Sequence, residues 1–270
     1  MTLIRFIRSE TAITPPLHWT KTRHYRGLCN RWAQLKLKDD GSYYASYYKG
    51  LVNLQHEYQH PLRVFTLNYD LCVEKNCEGI NIERGFTGTR RWDWRMFDDA
   101  REDSPDLYLY KLHGSVDWSY DNGGNLIYHE SSSQIEPENL AIIFGTTYKL
   151  QYIDPFLFFA YEFRKWTLDD GKLIVVIGYS FADEHINGIL TQSLNNNSER
   201  RLLSIAPLEK SETVKQKRSS IQEILKTNRD DQIVCWNYGA KKFMTEKMKI
   251  EKLAKLFPLD EEPIQELFDK

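Results

Sequence analysis

Three short segments stand out for side chains able to do chemistry: Thr66-Leu67-Asn68-Tyr69-Asp70, Lys111-Leu112-His113-Gly114-Ser115-Val116-Asp117-Trp118, and Gly178-Tyr179-Ser180-Phe181-Ala182-Asp183-Glu184-His185-Ile186-Asn187. Each directly follows an apolar run. The His113 imidazole belongs to the one side-chain type whose unperturbed pKa suits proton transfer near neutral pH, and the Asn68 carboxamide supplies donors and acceptors without charge. Each of these residues also has a plainer reading. A histidine after a strand often serves as a hydrogen-bonded structural group, Asn68 suits a turn, and Asp183 suits the cap of a following helix. His185 lies two positions beyond Asp183, but two potential ligands do not make a metal site, so it reads as solvated helix surface. The four cysteines, Cys29, Cys72, Cys77 and Cys235, are irregularly spaced and fit reduced thiols better than a disulfide framework. Only Cys72 and Cys77 are close, and no second pair of Cys or His joins them, so no metal is expected.

The elements around these segments follow from apolar spacing. Leu28, Trp32 and Leu35, then Tyr44, Tyr47, Leu51 and Leu54, recur at three or four residues and predict two helices between residues 19 and 59. Leu62 to Leu67 reads as a short buried strand, and Ile80 to Phe86 as a second. Gly85, Gly88 and the Arg90 to Arg95 run of charges and tryptophans mark an excursion from the core, over about residues 85–106. Leu107 to Leu112 is a strand of alternating Leu and Tyr, followed by a hairpin turn at Asp121 to Gly124 and a return through Tyr128. Leu140 to Phe144 and Leu173 to Ile177 are strand-length apolar runs flanking a helix over Asp154 to Leu168. Helix Asp183 to Leu194, strand Arg201 to Ile205, helix Leu208 to Leu225, strand Gln232 to Trp236 and helix Lys241 to Phe257 continue the alternation. The expected class is therefore α/β, a mainly parallel sheet with helices on both faces. Residues 1–60 form an N-terminal helical segment, 61–258 the sheet domain and 259–270 a tail.

Composition narrows the function further. With 36 Lys plus Arg against 38 Asp plus Glu in 270 residues, the net charge is −2, and nothing chain-wide holds a polyanion, so no direct nucleic-acid binding is expected. The longest apolar runs, Leu173 to Ile177 and Pro155 to Tyr161, fall far short of the roughly 20 residues that span a bilayer. At the N-terminus Arg5 and Arg8 interrupt Leu3, Ile4, Phe6 and Ile7, so no secretory signal forms and a cytoplasmic location is expected.

Taken together and in order, the three segments resemble the Sir2 family, and within it the bacterial Sir2-like branch of anti-phage defence systems, over about residues 60–245. The resemblance implies a Rossmann-like domain that binds NAD and cleaves its nicotinamide–ribose bond. Asn68 matches the family's Asn after the strand, and His113 the His of its Lys-Leu-His-Gly segment. Cleavage leaves a ribosyl oxocarbenium ion, so the site must hold the ribose, exclude stray water and deprotonate the attacking oxygen. In that scheme Asn68 orients and His113 is the base. Asp70 orients the amide or the ribose hydroxyls. Gly178, Tyr179 and Ser180 resemble the strand-end turn along the cofactor, where a Gly permits close backbone approach and a Ser hydroxyl reaches ribose or phosphate. Asp183 and Asn187 complete that segment, and Trp236 to Gly239 matches the stretch against the adenine.

The chain also departs from the family's pattern. Members usually open with a strand and a Gly-Ala-Gly-type loop that holds the pyrophosphate. Here the first glycine is Gly27, and Pro15-Pro16 reads as an extended connector. Either a natural beginning is missing or the phosphate cradle is. His18 to Arg31, with Lys21, Arg23, Arg26 and Arg31 and no acidic residue, is a partial substitute or a solvated basic helix face. The two Cys-x-x-Cys pairs of the family's protein deacylases are absent, which favours water as acceptor. The leading expectation is an NAD+ glycohydrolase with NAD+ as substrate, working as a homo-oligomer or with a partner defence protein. A catalytically silent nucleotide- or partner-binding module is the alternative, and a deacylase ranks third.

Overall fold

The structure is a computed structural model that describes residues 2–4, 46–98, 104–130, 135, 139–143, 154–170, 172–209, 211–227 and 229–256. The first of the two expected N-terminal helices, the Pro15-Pro16 connector, the His18 to Arg31 stretch, Cys29 and the 259–270 tail lie outside the described residues.

Among the described residues there are ten strands: β1 (Thr2–Ile4), β2 (Leu62–Thr66), β3 (Ile82–Glu83), β4 (Leu107–Lys111), β5 (Gly114–Tyr120), β6 (Leu126–Tyr128), β7 (Leu140–Ile142), β8 (Leu173–Ile177), β9 (Arg201–Ile205) and β10 (Ile233–Trp236). Seven of them form one parallel sheet in the order β10-β9-β8-β1-β2-β4-β3. The chain winds outward from β1 in one direction through β2 and β4, then returns to β8 on the other side, so the strand order reverses beside β1. Ligands of such sheets bind beyond the carboxyl ends of the strands at that reversal.

The sheet is covered on both faces because its strands are apolar on both. In β8, Leu-Ile-Val-Val-Ile is wholly buried: Ile174 and Val176 enter one core, Leu173, Val175 and Ile177 the other. The main helices are α1 (Lys49–Tyr58), α2 (Cys72–Asn76), α3 (Phe156–Lys165), α4 (Glu184–Asn196) and α5 (Val214–Ile224). Phe159 and Phe163 of α3, Ile186, Leu190 and Leu194 of α4, and Ile221 of α5 fill the first core. Leu51 and Leu54 of α1 fill the second, with Phe243, Met244 and Leu253. Thr213 starts α5 with a reciprocal capping box to Gln216. Among the described residues no helix is long and apolar enough to cross a membrane.

The mainly parallel α/β architecture is as expected, and three local readings need correction. Residues 2–4 form the central strand of the sheet, so the N-terminal segment is not wholly helical and the sheet does not begin at 61. Three residues followed by an arginine carry too little periodicity to announce a strand. Leu140–Ile142 does not open a β-α-β unit; it pairs antiparallel with β5, and with β6 makes a separate three-stranded sheet. An apolar run states that a strand is buried, not which neighbour it pairs with. The irregular stretch after β3, apart from these corrections, packs its aromatic rings on the core, with Trp92 5.1 Å from the Phe159 ring and Phe97 stacked on Tyr110 at 4.7 Å. Burying two large aromatic rings outweighs the polarity of the arginines around them. The expected helix 241–257 is broken into turns at Ala240–Lys242, Phe243–Lys247 and Ile250–Ala254.

The departure from the main sheet happens at one residue. After β4 the chain turns at Gly114, whose φ is +88° and where a Cβ would collide with the Ala141 carbonyl oxygen of β7. Only glycine meets both conditions. Gly124, in the hairpin turn, has φ +78° with open space around it. We therefore expect Gly124→Ala to cost about 1–2 kcal/mol of stability from backbone strain alone. Gly114→Ala must cost more, because β7 has to move as well. Urea unfolding of both variants checks this; equal losses would refute the collision argument.

Candidate active site

β2 and β4 set the first half of the site. Their register pairs Thr66 with Lys111, an offset of 45 residues. The same offset separates Asn68 from His113, and each lies two residues past the ladder, at the carboxyl ends of adjacent strands roughly 4.8 Å apart. The loops remain joined past that point. Leu112 N–H donates to the Thr66 carbonyl at 2.9 Å and Val116 N–H to the Tyr69 carbonyl at 3.0 Å. Tyr69 O–H donates to the Ile143 carbonyl at 2.7 Å, and Ile143 N–H donates to the His113 carbonyl at 2.8 Å. The Asn68 N–H is held by Thr66 Oγ1 at 3.1 Å, while among the described residues its carboxamide has no hydrogen-bond partner. His113 is half-buried, with the Tyr69 ring 6.5 Å away.

Beneath these two residues lies a buried charge network. Lys111, 1% exposed, donates to the Asp70 carbonyl and to Ser115 Oγ at 2.8 Å, and pairs with Glu74 Oε1 at 2.9 Å. Ser115 Oγ in turn donates to Asp117, whose other oxygen accepts from Arg84 at 2.6 Å. Arg84 also lies 3.8 Å from Glu74. Two cations and two anions thus neutralise each other, the Lys111 ammonium donating to two oxygens and ion-paired with Glu74. Burial opposes ionisation of Asp117, but Arg84, Lys111 and the Ser115 hydroxyl outweigh it and hold its carboxyl below the ordinary range. For Arg84 burial acts against the charge, and Asp117 and Glu74 more than compensate, raising its pKa. The network ties the loop after β2 to the one after β4 and to the end of β3. Sequence reading assigned no role to Lys111, Ser115 or Asp117 and overlooked Glu74 and Arg84. The available signal was a lysine and an aspartate set inside strands that are otherwise apolar.

The second half follows β8. Gly178 has φ +66° and donates its N–H to the Ile205 carbonyl at 2.8 Å, extending the ladder to β9. Asp183 caps α4, its Oδ1 accepting from His185 N–H at 3.0 Å and Ile186 N–H at 3.2 Å. Its Oδ2 lies 3.4 Å from His113 Nε2. Burial pushes the Asp183 carboxyl up, but the facing His113 imidazole and the two helix N–H groups hold it below its ordinary value. Ser180 is exposed. Tyr179 is buried, its hydroxyl shared between Asn187 Oδ1 at 2.9 Å and the Asp183 carbonyl at 3.1 Å, and Asn187 Nδ2 donates to the Phe181 carbonyl at 2.8 Å. Burial and the neighbouring Asp183 raise the Tyr179 pKa. The polar groups of Tyr179 and Asn187 therefore hold the loop together, with Phe181 at φ +57°.

The structure thus brings Asn68, His113 and Asp183 to one edge of the sheet, with Asp70, Gly178 and Ser180 in the same loops. The Asp70 carboxylate accepts from Cys72 N–H at 3.0 Å and starts α2. Gly239 stands apart from them, following β10 at the far margin of the sheet, two strands beyond β8. A carboxamide beside a half-buried imidazole that a carboxylate faces is a geometry suited to orienting a water molecule and taking its proton.

A family model described as SIR2-like domain matches residues 62–228. No curated protein matches the chain. The matched stretch begins at the first residue of β2 and includes all three segments; β1, β10 and Gly239 fall outside it.

Replacing Lys111 with Met should cost about 3–5 kcal/mol, since it leaves a buried carboxylate without its counter-charge. The pH dependence has a definite sign. Because the folded-state pKa of Asp117 is lowered, its contribution is fully present above the ordinary carboxylate value of about 4 and is lost as pH falls through the folded value. Removing Lys111 weakens that depression, so the acid-unfolding midpoint of Lys111→Met should move to higher pH, measured by circular dichroism. A midpoint at or below that of the unaltered protein would contradict the network's role.

Proposed function

The chain belongs to the SIR2-like family, and from that membership and the geometry of the strand ends we propose that it binds NAD+ and hydrolyses the nicotinamide–ribose bond, releasing nicotinamide and ADP-ribose. The observation that carries the reading is that Asn68 and His113 follow adjacent parallel strands at their carboxyl ends, near the reversal of strand order. The bond has a good leaving group, so the protein's task is to place the ribose, admit one water and remove that water's proton. Asn68 holds the ribose hydroxyls or the water with an amide free to donate and accept. His113 takes the proton as the water oxygen bonds to the ribose carbon and the electron pair of the old bond departs with nicotinamide. Gly178 lets the backbone approach the dinucleotide closely, and the exposed Ser180 hydroxyl offers a donor to ribose or phosphate. Water as acceptor fits a chain without the paired Cys-x-x-Cys motifs of the deacylases. The same reading assigns the chain to the anti-phage branch of the family, with NAD+ loss as its output, released on assembly of a homo-oligomer or with a partner defence protein.

A second reading has its own observation. β1 is the central strand, after which the family's glycine loop follows, yet the first glycine after Ile4 is Gly27. A chain with a weakened phosphate cradle suits a module that binds a nucleotide or a partner without turning it over.

Incubation of the assembled protein with NAD+ and chromatographic separation of the products decides between the two. Hydrolysis predicts equimolar nicotinamide and ADP-ribose, and a rate reduced roughly 100-fold to 10,000-fold by His113→Ala, the range that a general base contributes. Asn68→Ala should fall in the same direction. Absence of nicotinamide from the assembled protein, with biological function intact in His113→Ala, would establish the binding module instead.

A further inference from the structure

Asp183 does more than start a helix. An N-cap needs one side-chain oxygen, and Oδ1 alone receives both helix N–H groups, which leaves Oδ2 for the imidazole. That approach spans an unusual distance along the sheet edge. His113 follows β4 and Asp183 follows β8, with β2 and β1 between them. Three inter-strand steps separate the strand ends by roughly 14 Å. The two loops therefore lean toward each other over the ends of β1 and β2 to bring Nε2 within 3.4 Å of Oδ2.

From this geometry we infer that Asp183 is a positioning residue that selects the tautomer of His113, holding the proton on Nε2 and leaving the Nδ1 lone pair as the site that accepts the proton from water. The inference rests on the proposed role of His113 as base. A neutral imidazole carries one N–H and one lone pair, and a carboxylate attracts the first and repels the second. The nitrogen facing Asp183 is therefore the protonated one. The same negative charge stabilises the imidazolium once His113 has taken a second proton.

The carboxylate is held firmly enough for this task. Its backbone carbonyl faces the Tyr179 hydroxyl, which also meets Asn187, and Asn187 fastens the Phe181 carbonyl. Both side chains of the His113–Asp183 pair are 26% exposed, so the contact is partly removed from water. Among the described residues, the titratable groups set against the imidazole are Asp183 from the loop before α4 and Tyr69 from the loop after β2. The Tyr69 hydroxyl is committed to Ile143, and Tyr179 faces Asp183 from within its own loop. This gives Tyr179 and Asn187, which sequence reading placed along the cofactor, a function one step removed: they fix the residue that fixes the base.

The test uses the full chain labelled with 15N-histidine, the His113 signals being assigned by their loss in His113→Gln. Long-range 1H–15N correlation above the histidine titration range should show the proton on Nε2. Asp183→Asn and Asp183→Ser both retain an efficient N-cap, so their melting temperatures should stay close to that of the unaltered protein. In Asp183→Ser the shorter side chain no longer reaches the imidazole, and in Asp183→Asn the amide donates as readily as it accepts. Both variants should lose the Nε2–H preference. NAD+ hydrolysis should fall about tenfold or more in kcat, within the range general-base catalysis itself supplies, with KM changed less. His113 protonated on Nδ1, or a tautomer unchanged in both variants, would overturn the inference whatever the activity. An Nε2–H tautomer that both variants abolish, in a protein that releases no nicotinamide, would uphold the positioning of His113 by Asp183 and refute hydrolysis.

Discussion

Lys111 carries a full positive charge where water does not reach, and the placement of the reactive segments follows from how that charge is satisfied. A buried ammonium is tolerated when its donors are all met and its charge is balanced. Asp70 and Ser115 accept from the ammonium, Glu74 pairs with its charge, and Asp117 with Arg84 completes a neutral set. These partners come from three separate stretches of chain, those that follow β2, β3 and β4. Satisfying one charge therefore locks the chain after β2, which carries Asn68, against the chain after β4, which carries His113. The strand register begins that connection and the charge network extends it beyond the last ladder bond.

A second constraint acts at the exit from β4. The chain must leave the parallel sheet immediately after His113, or the imidazole would be paired within the ladder rather than presented at its end. Gly114 makes that turn in a backbone region closed to other residues, and close to the carbonyl of Ala141. β5 then starts a small antiparallel sheet that stands beside the strand ends. Through Ile143, which bonds both His113 and Tyr69, this sheet forms one wall of the site. A histidine followed by a glycine is thus a structural requirement before it is a chemical one.

Asp183 joins the two halves of the edge. One oxygen serves α4 and the other faces an imidazole that belongs to the opposite winding of the sheet. The contact crosses the region where β1 ends and the strand order reverses, which is where a doubly wound sheet receives its ligand. The frame around it is local: Tyr179, Phe181 and Asn187 occupy nine successive residues and bond to one another. Membership of the SIR2-like family accounts for the positions of the three segments, and the hydrogen bonds account for why several of their polar side chains turn inward.

Much of the sheet was legible from residue order. Leu173–Ile177 and Arg201–Ile205 were read to the residue, because a parallel strand buried on both faces is a continuous apolar run with polar ends. The start of α4 was marked by Asp183, since a cap acts within three residues. The three candidate segments were found because strand ends and unusual side chains are both visible in one dimension. What the sequence could not determine were the partnerships made at long range. β1 is three residues long and draws its place from Val64 and Val175, neither nearby in sequence. β7 is an apolar run like any other, and only the turn at Gly114 assigned it to a second sheet. The Lys111 network includes partners 33 and 41 positions apart with no repeating pattern. Local chemistry determines which elements form and where they end, because those forces act within a few residues. The facing of Asp183 to His113, seventy residues away in the chain, was decided by tertiary structure alone, because only strand order and loop closure bring a carboxylate and an imidazole within reach.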